Sequence, residues 1–191
     1  MMLNKMPPNV PISSLLSHLE TSSKWGARNR AMFALRQCLR IRDISVLQVS
    51  DVLGLNGVIR GHYIAEDGIV YLLDDDLKQE LHRYLLNRFQ LGGNSLKPLI
   101  NTDLDVPLFP TQKRERFSNN TLAQHFWWMY RNAGVSGASS HSGRKTFLTS
   151  LASQGISVFV LASLAGHKSI ATTQRYITVH DDMKRKAVEL V

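Results

Sequence analysis

Arg40, Arg144, His141, His167 and Tyr176 stand in four short segments of this chain. The segments are Cys38-Leu39-Arg40-Ile41-Arg42-Asp43-Ile44, His141-Ser142-Gly143-Arg144, Leu164-Ala165-Gly166-His167 and Thr172-Thr173-Gln174-Arg175-Tyr176. Arginine's planar fork grips two anionic oxygens at once and keeps its proton. Histidine gives or takes a proton near neutral pH. Tyrosine, with an ordinary pKa of about 10, is a weak nucleophile until a neighbouring charge or base assists it. Singly, each segment says little. A lone His-x-x-Arg is usually a surface pair or a helix cap. A Gly-His usually ends a helix, a tyrosine near a C-terminus usually packs its ring, and an arginine among arginines is usually solvated.

In this order and spacing the four segments resemble the tyrosine recombinase (phage integrase) family. That family carries an arginine in a Gly-Leu-Arg-Ile-Ser-Glu-like helix, then a His-x-x-Arg box, then Leu-Gly-His, then a tyrosine nine residues beyond that histidine. Here His167 and Tyr176 are nine apart, and the linking Lys168–Gln174 is similar to the family's connecting helix. The resemblance runs from about Ile12 to the C-terminus. It implies that Tyr176 attacks a DNA phosphodiester. Charge then builds on the non-bridging oxygens, and Arg40 and Arg144 would clamp them as an oxyanion hole does. His167 would add a third hydrogen bond. Nearby guanidinium charge would lower the Tyr176 pKa, and His141 would take its proton. The implied product is a 3′-phosphotyrosyl DNA with a free 5′-hydroxyl. The phosphodiester energy is kept, so neither ATP, a metal nor another cofactor is called for. Asp43, three residues past Arg40, matches the family's acidic position. It either orients an arginine or is an ordinary surface charge.

The chain departs from the family in three places. The family usually has a lysine in the hairpin after the first arginine, which protonates the leaving 5′-oxygen. No lysine lies between Lys24 and Lys78, and Ile64 falls near the expected position. Arg60 and His62 alternate onto the face of Ile64. His62 titrates in a suitable range for an acid, or it is simply an exposed strand residue. Lys145 stands where the family often has histidine and is expected to meet the DNA backbone or solvent. Finally, the family's helical clamp domain has no counterpart here. Residues 1–11 read as an N-terminal tail and 12–191 as a catalytic domain, either an excised fragment or a short recombinase of that domain alone.

The elements that must hold these residues are mostly helical. Apolar spacing predicts helices over Ile12–Leu19, over Asn29–Val49 with a break near Arg42, and over Asp75–Gln90 with Leu77, Leu81, Tyr84 and Leu85 inward. Ser118 is expected to cap a helix through Arg131, with Trp127 and Trp128 in the core. Three short helices follow, Ser142–Gln154, Val158–Leu164 and Ile170–Tyr176, punctuated by Gly155 and Gly166. Two β-prone runs flank Asp67-Gly68, a two-residue hairpin signal. The fold class is therefore mainly α with a small antiparallel sheet (α+β).

Composition fits a nucleic-acid partner. Lys and Arg number 23 against 15 Asp and Glu, a net charge of +8. Such a surface attracts phosphates by releasing their counterions. Lys113, Arg114 and Arg116 form a basic loop expected to contact DNA phosphates, with Arg60 and Lys145. The expected partner is double-stranded DNA. Assembly as a tetramer on it would run through the amphipathic tail 181–191, which otherwise packs on its own domain. No apolar run approaches the length of a membrane span. The single cysteine, Cys38, excludes an internal disulfide and reads as a buried small residue. A DNA-associated place in the cytoplasm of a bacterium, or a phage or mobile-element origin, follows from the resemblance. Three functions fit: a site-specific recombinase of integration or inversion, a DNA-binding regulator of the same fold, and a relaxing topoisomerase.

Overall fold

The computed structural model describes residues 12–21, 25–112, 115–177 and 188–189. Its helices are α1 (Ile12–Thr21), α2 (Gly26–Cys38), α3 (Ile41–Val46), α4 (Val49–Val52), α5 (Asp75–Arg88), α6 (Asn119–Asn132), α7 (Ser142–Ser153), α8 (Val158–Leu164) and α9 (Ile170–Gln174). Strands β1 (His62–Ile64) and β2 (Val70–Leu72) pair antiparallel, with Tyr63 opposite Tyr71. The expected α+β class is what is observed.

Helix α2 is the hub. Its Ala31, Met32, Phe33 and Leu35 are fully buried, so it is apolar on more than one side and packs against α1, α5 and α7. The long helix expected over Asn29–Val49 is three helices. The first break falls at Leu39 and Arg40, earlier than Arg42, and both residues are extended. The Asp43 carboxylate accepts from the Arg40 N–H at 3.3 Å and restarts the chain as α3. Helix α5 buries Leu77, Leu81, Tyr84 and Leu85 as its spacing requires, and Asp74 caps it by accepting from Leu77 N–H at 2.8 Å. Arg30 of α2 ties to α5 through a two-pronged ion pair with Glu80, which is mostly buried.

The hairpin turn differs from the two-residue form. Ala65 and Ile69 close it, and Gly68 at φ +79° donates to Ala65 O at 2.9 Å, leaving Glu66, Asp67 and Gly68 in the loop. A three-residue loop with glycine in the left-handed region is the next commonest hairpin. Asp67 thereby becomes the tip.

Helix α6 begins at Ser118, whose side chain accepts from Thr121 N–H at 3.2 Å. Its buried stripe is Leu122, Phe126, Met129 and Tyr130. The core placement of Trp127 and Trp128 is corrected: they fall off that stripe and are 41% and 52% exposed. Arg131 lies over both rings, 5.0 and 5.6 Å from their centroids. Among the described residues, two hydrophobic clusters result. The larger joins α1, α2, α5, α6 and the hairpin. The smaller comprises Leu148, Ala152, Leu161 and Ala165, with Phe147, Leu151, Tyr176 and Ile177 against it.

Candidate active site

Helix α8 ends in a two-bond reversal. Gly166, at φ +55°, donates to Ser163 O, and His167 donates to Ala162 O, both at 2.9 Å. This is the Schellman arrangement, and it leaves the last carbonyls in need of partners. Two arginines supply them. Arg144, in the first turn of α7, donates from one terminal nitrogen to Ala165 O and from the other to Cys38 O at the end of α2. Arg40 donates to Gly166 O, and its other terminal nitrogen is 3.0 Å from the Asp67 carboxylate at the hairpin tip. The two expected clamp residues therefore converge on successive carbonyls of one turn. A side chain at residue 166 would not fit, since a Cβ there would lie 2.6 Å from Ile69 Cγ2 and 3.0 Å from Tyr71 Oη.

His167 follows that turn directly. Its Nδ1 is 2.9 Å from Thr173 Oγ1, a fully buried hydroxyl. Its ring stacks on Tyr176, with centroids 5.7 Å apart and planes at 22°. The Tyr176 carbonyl accepts from Thr149 Oγ1 at 3.2 Å, which ties α9 to α7. The tyrosine ring is half-buried against the smaller cluster. Burial first, then Arg144 and Arg40, holds His167 below the ordinary histidine pKa. Burial, Arg36 and Arg144 do the same to His141. Both imidazoles are neutral at neutral pH, so the positive charge of the site resides on its arginines.

Arg36 belongs to this group and escaped the sequence reading. It is 1% exposed. Its Nε donates to Ser140 O at 2.6 Å and its Nη1 to Leu39 O at 2.8 Å, while Nη2 lies 3.3 Å from His141 Nδ1. Its signal was a charge at the buried position one turn before Arg40. Burial foremost, with Arg144, lowers its pKa to about 10, which leaves it cationic.

Asp43 is 3% exposed, which removes the surface-charge reading. Its carboxylate accepts from Arg40 N–H and, at 3.1 Å, from Tyr71 O–H, so it binds the start of α3 to the hairpin. Burial and the Asp43 charge push the Tyr71 phenol up to about 12. Cys38 is also held in place, and burial raises its thiol to about 11, which makes it unreactive.

Other expected residues lie apart. His62 is exposed at the end of β1 away from the tip that reaches Arg40. Arg60 precedes the strand and donates to Ser50 O at 3.1 Å. Arg116 is exposed beside Phe117 and Ser118, and Lys145 is half-buried next to Arg144. Lys113, Arg114 and nearly all of the tail 181–191 lie outside the described residues. Among the described residues, no three His, Cys, Asp or Glu side chains gather as metal ligands, and no helix is long and apolar enough to cross a membrane.

Known proteins resemble this chain in sequence and in fold. Residues 9–183 match the Phage integrase family. The chain is 31% identical to tyrosine recombinase XerD of Xanthomonas axonopodis pv. citri, over 91% of this chain and 61% of that protein. It is 27% identical to tyrosine recombinase XerC of Staphylococcus saprophyticus, over 92% of this chain and 57% of that one. The chain thus spans little more than half the length of these relatives. In fold it is similar to XerA recombinase, with a TM-score of 0.71 at 22% identity, covering all of this chain and 65% of that one. It is also similar to the Tn1549 transposon integrase in complex with a circular intermediate DNA, with a TM-score of 0.69 at 19% identity over 100% and 68% of the two chains. The family match covers most of the chain, the relatives agree with it, and the chain belongs to the phage integrase family of tyrosine recombinases.

Proposed function

We propose that this chain is the catalytic domain of a site-specific DNA recombinase of integration, excision or inversion. It cuts and rejoins double-stranded DNA through a 3′-phosphotyrosyl intermediate. The observation that carries this reading is the convergence of Arg40 and Arg144 on the Ala165–Gly166 carbonyls, one residue before His167, whose ring lies on Tyr176. Tyr176 Oη attacks phosphorus, the P–O5′ bond breaks, and the oxygens between them bear the developing charge. Arg40, Arg144 and His167 donate to those oxygens. The Oη proton is lost and the departing 5′-oxygen gains one, so the cleaved DNA ends in a free 5′-hydroxyl. Rejoining reverses each step, with no cofactor or metal consumed.

Asp43 acts through Arg40, by holding its backbone. Arg60, Lys113, Arg114, Arg116 and Lys145 serve the DNA backbone. His62 stays apart as the residue offered for the leaving-group proton, on the strength of the missing hairpin lysine alone. The C-terminal tail joins neighbouring subunits into a tetramer on DNA. The protein is DNA-associated, in a bacterium or carried by a phage or mobile element, and spans no membrane.

The test uses a pool of nicked duplexes of randomised sequence, which trap a covalent complex at the nick. The expected result is a protein–DNA adduct that survives denaturation and disappears in Tyr176→Phe, while DNA binding is retained. Binding without an adduct on any duplex would favour the regulator instead.

A further inference from the structure

Arg36 has no counterpart among the motifs of the chain, yet it contacts the residues on which two of them turn. Leu39 precedes Arg40 and Ser140 precedes His141, and Arg36 holds both their carbonyls. Its third contact, from Nη2 to His141 Nδ1 at 3.3 Å, has only one polarity. A guanidinium has five N–H donors and no acceptor, so Nη2 donates and the Nδ1 lone pair accepts. A neutral imidazole with Nδ1 so engaged carries its proton on Nε2.

The choice of residue is informative. A buried guanidinium facing only neutral acceptors is costly, and an apolar side chain of similar volume would fill the site in α2 at less cost. Lysine, a point charge on a flexible stem, cannot meet three acceptors in one plane. A planar, permanently cationic fork is what the three contacts require.

We propose that Arg36 is a positioning residue that locks His141 in its Nε2–H tautomer, so that His141 meets the scissile phosphate as a hydrogen-bond donor and not as the base for Tyr176. The proposal rests on the recombinase reading given above. It revises the expectation that His141 takes the tyrosine proton: Nε2 already holds one, and Nδ1 faces a cation. On this reading the Tyr176 proton passes instead to solvent, since the residue is only half-buried. The depressed pKa of His141 is consistent with this arrangement, because burial first, and then the Arg36 and Arg144 guanidinium groups, oppose a second proton on the ring.

Nitrogen NMR of the intact chain labelled at its histidines, without DNA, tests the tautomer directly. In the unaltered protein, His141 is expected to show an unprotonated Nδ1 and a protonated Nε2. A proton on Nδ1 would overturn the proposal. In Arg36→Met the ring is expected to populate both tautomers and its titration midpoint to rise. Adduct formation on the randomised nicked duplexes is expected to fall about tenfold or more, as when an outer hydrogen-bond partner of a working histidine is removed. Reduced adduct with an unchanged His141 tautomer and midpoint would mean that Arg36 only holds the backbone, and would also overturn the proposal. If Arg36→Met does not fold, Arg36→Lys is judged by the same two signals. The expected tautomer in a protein that forms no adduct with any duplex would sink the recombinase reading while leaving the Arg36–His141 relation intact.

Discussion

Arg144 and Arg36 are buried, and the contacts described for them are peptide carbonyls and an imidazole rather than a carboxylate. Neutral acceptors satisfy the N–H groups but leave the charge uncompensated, and an incoming phosphate would supply what is missing. Arg40 differs, since Asp67 already sits on its fork and would have to yield to an incoming phosphate. Individual side chains also govern acid stability. His125 has its Nε2 3.0 Å from Asn29 Oδ1 and its ring 5.4 Å from Phe117. Burial, with Arg28 second, pushes its pKa down to about 4 from 6.5. A histidine pKa lower in the folded than in the unfolded state means that the unfolded chain takes up the proton first as pH falls. The associated stability is therefore complete above pH 6.5 and is lost progressively down to about 4. A depression of that size is worth about 3 kcal/mol in full. Urea unfolding at pH 7 and pH 5 is expected to differ by about 2 kcal/mol from this residue. His125→Gln is expected to flatten most of that dependence, and an unchanged slope would place the acid sensitivity elsewhere. The segments carrying Arg40, His141, Arg144, His167 and Tyr176 stood out as candidates because their order and spacing are specific, and the fold brings Arg40, Arg144, His167 and Tyr176 around one turn. Arg36 was not, because a lone arginine in a helix is ordinary until tertiary structure shows which face it occupies.

At the scale of elements, periodicity located α5 and its inward residues and Ser118 located the start of α6, since both rest on local chemistry. The misplacements share a cause. The break after α2 is set by Asp43 capping α3 and by Arg36 on Leu39 O, and the second of these depends on burial that local spacing does not reveal. Trp127 and Trp128 look like core by composition, but the helix turns them away from Leu122, Phe126, Met129 and Tyr130. The turn after α8 combines both kinds of signal. Gly166 marks a helix end in the sequence, while its contact with Ile69 and Tyr71 is seen only in the fold. Gly166→Ala would face two penalties, a left-handed φ of +55° and a Cβ driven into the hairpin. Tyr71 cannot retreat without giving up Asp43. The variant is expected to lose about 1–3 kcal/mol of stability, read as a lower melting temperature. Its adduct yield is expected to fall further than that loss explains, because Arg40 depends on the same turn. Wild-type yield in the folded variant would show that the turn tolerates a wider separation.

The site as a whole lies between two cores of unequal size. Arg36 and Arg40 issue from elements of the larger cluster, while His167 and Tyr176 belong to elements packed around the smaller. Helix α7 serves both, with His141 and Arg144 at its start and Leu148 and Ala152 further along. Tyr176 and the two arginines are thus joined mainly by hydrogen bonds to carbonyls rather than by a shared apolar interior. A unit with few buried apolar contacts opens locally at lower free energy than the rest of the domain. Leu161 is fully buried at the centre of the smaller cluster, so Leu161→Ala removes a large part of it. The transfer and cavity cost is about 2–5 kcal/mol. That cost is expected to fall on α8 and α9 and to leave the larger core standing. Native-state hydrogen exchange would then show amides of 158–176 losing protection while those of α2 and α5 keep theirs. If Tyr176 is the proposed nucleophile, adduct formation is expected to fall in step with the first group, because its ring stacks on His167 within these elements. Parallel loss of protection in α2 and α5 would instead mean that the carbonyl-bound arginines couple the two cores into one cooperative unit.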